Sequence, residues 1–221
     1  MNKAAPVEIT AVVLAAGAST RMGRAKLHLP WGDTTILGRV LAILREAGVD
    51  RLVVVVRPGD ETAVHTAGAA GADIARVTRA ATAGAGDAGD CPTPSLQAAL
   101  ALLADAATAI ASRPPAPPGA VLVMPGDLPL MRPDTVERII RTFRNAPEGP
   151  RAIVAPKFEG RRGHPVIFGA AHIAALAALP SERWPRDVVR NAGGAVREVA
   201  VDDAGVATDI DDARAYERLR P

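Results

Sequence analysis

Short runs of apolar, β-branched residues alternate along this chain with segments that are apolar on one side only. Residues 9–16 (ITAVVLAA) and 51–56 (RLVVVV) have the composition of strands that are covered on both faces. Between them, residues 34–48 repeat apolar side chains at helical spacing, begin with threonine and end at Gly48. This opening predicts a strand–helix–strand unit, in which the loops that follow the strands share one edge of a parallel sheet.

The same alternation continues to the end of the chain and predicts an α/β fold with a mostly parallel sheet. A loop is expected at 80–94, a proline-rich surface connection at 112–119, and between them a helix at 95–106 that Ser95 caps. The remaining predicted strands are 73–78, 120–124, 151–156, 164–168 and 195–201. The remaining predicted helices are 134–144, 170–179, 186–192 and 211–220.

Composition narrows the protein class. The 221 residues are 48% hydrophobic and 23% charged, which suits one soluble globular domain over residues 1–221. The net charge of +2 comes without a basic stripe interleaved with aromatic residues, so we expect no nucleic-acid partner. The apolar run near the N-terminus is too short to span a membrane, and we expect no membrane partner. The single cysteine, Cys91, cannot form an internal disulfide, which favours a reducing, cytoplasmic setting.

The stretch LAAGASTRMGRAK, residues 14–26, follows the first predicted strand and combines glycines with cations. Gly17 and Gly23 allow a ligand to approach the backbone closely, and Arg21 and Lys26 supply charge that suits phosphate. The spacing fits neither a Walker loop nor the dinucleotide fingerprint. We interpret the stretch as a polyphosphate-binding loop, and the alternative is a surface loop with solvated cations.

Asp127 follows the apolar run AVLVM and a Pro-Gly turn, at the same predicted sheet edge as the polyphosphate loop. A carboxylate there is a candidate ligand for Mg²⁺, which binds one or two carboxylates together with substrate phosphates. The alternative is a helix cap, for which Asp134 is the better candidate. Asp209 or Asp211 is a candidate second carboxylate, and Asp211 alternatively caps the last helix.

His164 lies in the stretch RRGHPV, after two arginines and a glycine. A lone histidine is commonly a core residue whose ring is satisfied by backbone groups. The neighbouring cations favour a functional role instead. The sequence contains no convincing nucleophile–histidine–acid triad.

Four stretches in order resemble the MobA-like nucleotidyltransferases, and in particular their molybdenum cofactor cytidylyltransferase branch. They are LAAGASTRMGRAKLHLP, VMPGDLPLM, GRRGHPVIF and DIDDARAYERL. The resemblance implies a Rossmann-like, three-layer α/β/α nucleotidyltransferase fold with a mostly parallel sheet. It implies transfer of a nucleoside monophosphate from CTP or GTP to the terminal phosphate of molybdopterin, with release of pyrophosphate. The guanylyl branch typically has glycine at the position of Ala16, so CTP is the expected donor.

The resemblance and the chemistry together assign roles to specific residues. The expected catalytic residues are Arg21, Lys26 and Asp127. The expected nucleotide-binding residues are Leu14, Ala15, Ala16, Gly17, Arg21, Met22, Gly23, Lys26 and Ser95. The expected acceptor-binding residues are Arg162, Gly163, His164, Pro165 and Arg186. The expected ligands of Mg²⁺ are Asp127, Asp209 and Asp211.

Two segments depart from the cytidylyltransferase pattern. The chain has SERWPR at 181–186 in place of a Gly-Asp-x-Gly-Ala-Arg stretch, and CPTPSL at 91–96 in place of a glycine-rich form. Both segments would face the second substrate. The alternatives therefore remain a guanylyltransferase, a nucleotidyltransferase for another phosphorylated acceptor such as a sugar phosphate, and a non-catalytic molybdenum-cofactor carrier. A molybdoenzyme or its maturation factor is an expected protein partner.

Overall fold

The computed structural model describes residues 7–17, 25–77, 91–108 and 118–221. The strands in these ranges are β1 (Ile9–Leu14), β2 (Pro30–Trp31), β3 (Thr34–Thr35), β4 (Arg51–Val56), β5 (Asp73–Arg76), β6 (Ala120–Pro125), β7 (Ile153–Phe158), β8 (Arg161–Arg162), β9 (Val166–Gly169) and β10 (Val196–Ala200). The α-helices are α1 (Ile36–Glu46), α2 (Glu61–Ala69), α3 (Thr93–Thr108), α4 (Pro133–Arg144), α5 (Ile173–Ala177), α6 (Pro185–Asn191) and α7 (Ala213–Leu219). None of the helices in these ranges has the length and hydrophobicity that crossing a bilayer requires.

The main sheet has the strand order β10-β7-β9-β6-β1-β4-β5, and β8 pairs with β7. β1 is parallel to β4 and β6, β4 to β5, and β10 to β7. β9 is antiparallel to both β6 and β7, so these two strands run in the same direction. The predicted mostly parallel sheet is confirmed, with β8 and β9 as its antiparallel members.

Two apolar cores cover the two faces of the sheet. One contains the inward side chains of α1, α2 and α4, and the other contains those of α3, α5 and α6. Along β1, Ala11 and Val13 point into the first core and Val12 into the second. Burial on both faces explains why every residue of the strand except Thr10 is apolar, and the three-layer α/β/α architecture is confirmed.

The predicted first helix is confirmed, with its start displaced by a hairpin. Thr34 and Thr35 pair with β2, and the helix begins immediately afterwards. Thr35 Oγ1 accepts a hydrogen bond from Gly38 N at 3.0 Å, so this threonine is the N-cap. Gly48 has a φ of 74°, the left-handed conformation that ends helices.

Two predicted helix caps are wrong. α3 begins at Thr93, so Ser95 lies inside the first turn. Pro94 permits this earlier start because proline is tolerated in the first turn of a helix. α4 is preceded by Arg132, so Asp134 also lies inside the first turn, where its charge favours the helix dipole without capping.

The apolar pattern alone did not predict α2 or the β2–β3 hairpin. α2 buries only two small side chains, Ala63 and Ala67, so its apolar face is too narrow to predict a helix from the sequence. Asp60 was the available signal, since its carboxylate accepts from Ala63 N at 3.1 Å and caps the helix. The segment 170–179, predicted as one helix, forms a 3-10 turn at Ala170–His172 followed by the short α5.

Several predicted boundaries move by a few residues. Strand 151–156 begins at Ile153 because a 3-10 turn occupies Gly149–Arg151. The loop predicted at 80–94 ends earlier, because α3 starts at Thr93. Its residues 80–90, and residues 112–117 of the predicted proline-rich connection, lie outside the described residues.

Close backbone contact at Gly205 gives a test of the packing. Gly205 lies in the 3-10 turn Ala204–Ala207, where an added Cβ would be 2.6 Å from backbone atoms of Leu130 and Met131. We expect Gly205→Ala to lower the free energy of unfolding by about 2 kcal/mol, because backbone must shift to admit the methyl group. Thermal unfolding should show a melting temperature lower by roughly 4–8 °C.

Gly68→Ala is the matched control for this substitution. Gly68 lies in α2 with no atom within 4 Å of an added Cβ. Alanine there should leave the melting temperature unchanged or raise it, because it reduces the entropy of the unfolded chain. Equal melting temperatures for the two variants would contradict the close approach at Gly205.

Candidate active site

The ends of β1 and β6 meet at the centre of the sheet. From β1 the chain first builds β4 and β5 on one side, and it later returns to place β6 on the other side. Gly126 N donates to Leu14 O at 3.0 Å just beyond the two strand ends. An added Cβ on Gly126 would be 3.2 Å from that carbonyl oxygen and 3.3 Å from the Leu27 side chain. Open α/β sheets bind ligands at such topological switch points.

An ion-pair cluster occupies this position. Lys26, in the 3-10 turn Lys26–His28, has its Nζ 2.6 Å from Asp127 Oδ2 and 3.1 Å from Asp211 Oδ1. The Lys26 and Asp127 side chains are 15% and 16% exposed, and Asp211 is 37% exposed. The structure therefore brings together residues that are separated by 185 positions in the sequence.

Burial would lower the pKa of Lys26, but the carboxylates of Asp127 and Asp211 outweigh that effect and raise it. The ammonium is therefore charged at neutral pH. The ion pairs of Lys26 therefore contribute fully to the stability of the fold at any pH below the ordinary pKa of lysine. That contribution is lost only as the pH rises through the raised pKa that Lys26 has in the folded protein.

Asp209 is the third carboxylate of this cluster. Ile210 N donates to Asp127 O at 3.0 Å, which fixes residues 209–211 beside Asp127. Burial raises the pKa of Asp209, and the neighbouring carboxylates Asp211 and Asp127 raise it further. Lys26 pairs with Asp127 and Asp211, and Asp209 adds a further acidic group beside them, which a divalent cation would help to neutralise.

The oxygen donors of the cluster fit Mg²⁺, although the described residues do not form a complete metal site by themselves. No three acidic, histidine or cysteine side chains in the described ranges are close enough to hold an ion without other ligands. Mg²⁺ characteristically takes only one or two carboxylates and completes its shell with substrate phosphates and water. Asp127 with Asp209 or Asp211 is consistent with that pattern.

His164 lies next to the cluster, at the amino end of β9. Its backbone N donates to Val206 O at 2.8 Å, and its ring is hydrogen-bonded to the Val123 carbonyl at the end of β6. Its Nδ1 is buried and has no hydrogen-bond partner. Burial lowers the pKa of His164 more than the Val123 carbonyl and Asp127 raise it, so the ring is neutral at pH 7.

Gly163 and Pro165 have structural roles on either side of His164. An added Cβ on Gly163 would be 2.3 Å from Val206 O, so only glycine permits this contact. The peptide bond between His164 and Pro165 is cis. These two residues set the backbone from which the His164 ring reaches the carboxyl end of β6.

The other predicted site residues that the structure describes lie outside the ion-pair cluster of Lys26, Asp127 and Asp211. Ala15 and Ala16 are buried at the end of β1, where Ala15 N donates to Val55 O at 2.9 Å. An added Cβ on Gly17 would meet no atom of the described part of the chain within 4 Å. Ser95 is half-buried in the first turn of α3. Arg186 is exposed, with its guanidinium 4.5 Å from the centre of the Trp184 ring. Arg21, Met22 and Gly23 lie outside the described residues.

A surface depression that the sequence did not predict opens beyond the end of β4. It has a volume of about 400 Å³, and its lining includes His28, Arg57 and Asp60. His28 Nε2 lies 2.9 Å from Asp60 Oδ1.

Comparison with known proteins identifies the family. Residues 11–198 match the MobA-like NTP transferase domain, which is most of the chain. The chain belongs to the MobA-like NTP transferase family. It is therefore a nucleotidyltransferase. Lys26 and Asp127 lie within the matched segment, and Asp209 and Asp211 lie just beyond it.

Solved structures agree with this membership. Rv0371c from Mycobacterium tuberculosis H37Rv is 30% identical, with a TM-score of 0.75 over 96% of this chain and 97% of that chain. A complex of Rv0371c with manganese is 32% identical, with a TM-score of 0.66 over 96% and 98% of the two chains. A curated relative, the molybdenum cofactor guanylyltransferase of Xanthomonas euvesicatoria pv. vesicatoria (strain 85-10), is 49% identical over 45 residues, which is 20% of this chain and 24% of that protein.

The last helix distinguishes the two neighbouring aspartates. Asp212, rather than Asp211, is the N-cap of α7, and its Oδ1 accepts from Ala215 N at 2.7 Å. The alternative in which Asp211 caps the helix is therefore wrong, because the carboxylate of Asp211 faces Lys26 instead.

Because Asp212 caps α7 and Asp211 does not, alanine at the two positions should lower the free energy of unfolding by different amounts. Asp212→Ala should lower the free energy of unfolding by about 1 kcal/mol through loss of the cap. Asp211→Ala should cost less, because Lys26 keeps Asp127 and a repulsive carboxylate is removed. Urea denaturation of both variants checks this, and a larger loss for Asp211→Ala would contradict the assignment.

Proposed function

We propose that this nucleotidyltransferase moves CMP from CTP to the terminal phosphate of molybdopterin, with Mg²⁺ as cofactor and pyrophosphate as the leaving group. The observation that carries the proposal is the cluster of Lys26, Asp127 and Asp211 at the switch point between β1 and β6. The cluster combines a cation for phosphate with carboxylates for a divalent ion. The resemblance carried by the four sequence motifs supports CTP and molybdopterin as the two substrates.

The donor nucleotide lies, in this proposal, over the carboxyl end of β1. No atom of the described residues lies within 4 Å of an added Cβ on Gly17, which is consistent with a phosphate at the backbone of residues 14–17. Attack at the α-phosphorus shifts negative charge to the leaving pyrophosphate, which cations stabilise. Lys26 is one such cation, because its flexible side chain can move the ammonium away from the carboxylates and towards a phosphate. Arg21 is proposed as the second cation.

Asp127, together with Asp209 or Asp211, would hold the Mg²⁺. When bound, the ion would neutralise triphosphate charge and stabilise the departing pyrophosphate. The manganese complex of Rv0371c, which matches this chain over nearly its whole length, supports a divalent ion as cofactor. Burial, and after it the neighbouring carboxylates Asp211 and Asp127, raise the pKa of Asp209, and a bound cation would oppose that shift.

The acceptor is proposed to lie on the β9 side of the cluster. A phosphate monoester is already anionic near neutral pH, so it needs orientation rather than a general base. The neutral His164 ring lies beside Asp127 and donates its one N–H to the Val123 carbonyl, so its other ring nitrogen is an acceptor and is proposed to face a donor group of the acceptor molecule rather than its phosphate. Arg162, and Arg186 on the following helix, are the proposed acceptor cations, and Pro165 fixes the turn.

Specific observations also support alternatives for the substrates. The curated relative is a guanylyltransferase, which supports GTP as an alternative donor, although it matches only 45 residues. The departures at 181–186 and 91–96 support a different phosphorylated acceptor, such as a sugar phosphate. A non-catalytic molybdenum-cofactor carrier is disfavoured because Lys26 and Asp127 are present and paired. A molybdoenzyme or its maturation factor is the proposed receiver of the product.

Asp127→Asn tests the metal and the chemistry together. Asparagine keeps the shape of the side chain but removes the charge, so pyrophosphate release should fall by at least about 100-fold while the protein stays folded. Metal-dependent CTP binding should weaken in parallel. Pyrophosphate release with molybdopterin as acceptor, calorimetric titration of CTP with Mg²⁺, and the melting temperature are the three measurements.

Asp134→Asn is the control, because it makes the same charge change at an exposed position in α4. Its turnover should equal that of the wild type. An Asp127→Asn protein with normal turnover would show that Asp127 does not hold the metal. A silent wild type would favour the carrier alternative.

The choice of donor is tested separately by titration of CTP and GTP. Ala16 is 8% exposed at the end of β1, where the resemblance associates alanine with the cytidylyl branch. CTP should bind at least about tenfold more tightly than GTP, a difference of roughly 1.4 kcal/mol. Isothermal titration calorimetry with Mg²⁺ measures both, and equal affinity or a preference for GTP would overturn the cytidylyl assignment.

A further inference from the structure

The ammonium of Lys26 lies where a divalent ion would meet the carboxylates of the cluster. Its Nζ is 2.6 Å from Asp127 Oδ2 and 3.1 Å from Asp211 Oδ1, so it contacts an oxygen atom of each aspartate. Mg²⁺ binds carboxylate oxygens at about 2.0–2.1 Å and needs near-octahedral geometry. Two cations this close together repel, so the ammonium opposes the binding of a divalent ion to the same oxygen atoms.

Backbone hydrogen bonds hold the main chain of the cluster in place. Ile210 N donates to Asp127 O at 3.0 Å, and Gly126 N donates to Leu14 O at 3.0 Å. These contacts fix the backbone at Asp127 and immediately before it. Lys26 instead reaches the cluster through a flexible four-carbon side chain. The lysine is therefore the member of the cluster that can move when a second cation binds.

Burial makes it costly for the ammonium to leave without a new anionic partner. The side chain of Lys26 is only 15% exposed, and that of Asp127 only 16%. A mostly buried charge that loses its ion-pair partner destabilises the fold. A nucleoside triphosphate removes this obstacle, because its phosphate oxygens carry several negative charges that the ammonium can contact instead. A free divalent ion supplies no such partner.

We propose that Lys26 competes with the divalent ion for Asp127, and that the triphosphate of the nucleotide relieves this competition by binding the ammonium. The metal and the nucleotide then bind cooperatively, and each raises the affinity for the other by the same factor. The ion pair thus restrains metal binding in the absence of substrate. The inference rests on the proposed function, because it takes Asp127 as a metal ligand and the triphosphate as the partner of Lys26.

Metal binding without nucleotide tests the competition. The probe is Mn²⁺, whose free concentration is followed by electron paramagnetic resonance while it is titrated into the full chain. Lys26→Met removes the ammonium and keeps a long side chain, so it should lower the dissociation constant of Mn²⁺ about tenfold. Lys26→Arg keeps a cation at this position and should bind Mn²⁺ no more tightly than the wild type.

Lys157→Met is the matched control. Lys157 Nζ also lies 2.6 Å from a carboxylate oxygen, Glu198 Oε2, in an ion pair outside the cluster. The substitution makes the same change in net charge, so it separates the loss of the ion pair at Asp127 from a change in total charge. Its dissociation constant for Mn²⁺ should equal that of the wild type. The proposal is overturned if Lys26→Met binds Mn²⁺ no more tightly than the wild type, or no more tightly than Lys157→Met.

The wild type provides a second measurement that does not depend on the folding of Lys26→Met. In ¹⁵N-labelled protein, the ammonium signal of Lys26 is identified by its loss in Lys26→Arg. CTP with Mg²⁺ should shift this signal, whereas the same concentration of Mg²⁺ alone should leave it unchanged, because the ammonium stays at Asp127. An equal shift with Mg²⁺ alone, or no shift with CTP and Mg²⁺, would contradict the competition.

The proposed function fails by a different result. It is wrong if the wild type releases no pyrophosphate from CTP with molybdopterin as acceptor. The Mn²⁺ titration requires neither substrate, so a change in metal affinity is measured whether or not the protein turns over these two molecules.

Discussion

A single backbone hydrogen bond, from Gly126 N to Leu14 O, joins the loops that leave the two central strands of the sheet. Glycine at 126 suits this contact, because an added Cβ would lie 3.2 Å from Leu14 O and 3.3 Å from the Leu27 side chain, and both would have to shift. With β1 and β6 held this closely, Lys26 after one strand and Asp127 after the other form an ion pair at 2.6 Å. The electrostatics of the site follow from this adjacency.

The C-terminal part of the chain completes the site through backbone contacts. Ile210 N binds Asp127 O, and Val206 O accepts from His164 N across a gap that only Gly163 leaves open. Tyr216 on α7 donates its hydroxyl to Pro30 O at 2.7 Å and packs near Trp31. The segment that carries Asp209 and Asp211 is therefore fixed at both ends, and the Asp211 carboxylate faces Lys26 without a helix to orient it.

Charge changes systematically along the carboxyl edge of the sheet. At β1 and β6 the carboxylates outnumber the ammonium of Lys26, which favours a divalent ion and the nucleotide that accompanies it. Next to them, burial keeps the His164 ring neutral. Beyond it, Arg162, Lys157 and Glu198 form an exposed and cationic group. This order suits a reaction in which a metal-bound triphosphate meets a second, anionic substrate.

The sequence by itself determined the alternation of strands and helices, the parallel sheet and the positions of the four motifs. These features follow from local periodicity: β1 is apolar at every position except Thr10 because both of its faces are buried, and Thr35 caps α1 through a hydrogen bond three residues away. The family also followed from the sequence, because its motifs are short and contiguous. α2 escaped detection because two buried alanines are too few to mark a helical face.

Only the tertiary structure decided how residues distant in the chain meet. Asp211 and Asp212 are adjacent and identical in type, yet one faces Lys26 and the other caps α7, because the backbone turns between them. Ser95 was expected to cap α3, but the helix starts earlier, and Thr93 donates instead to Arg183 O at 2.5 Å. Glu198 has no motif to mark it, and its contact with Arg162 exists because β10 pairs with β7 across the sheet. Long-range pairing of this kind depends on packing and strand order, which local sequence patterns do not encode.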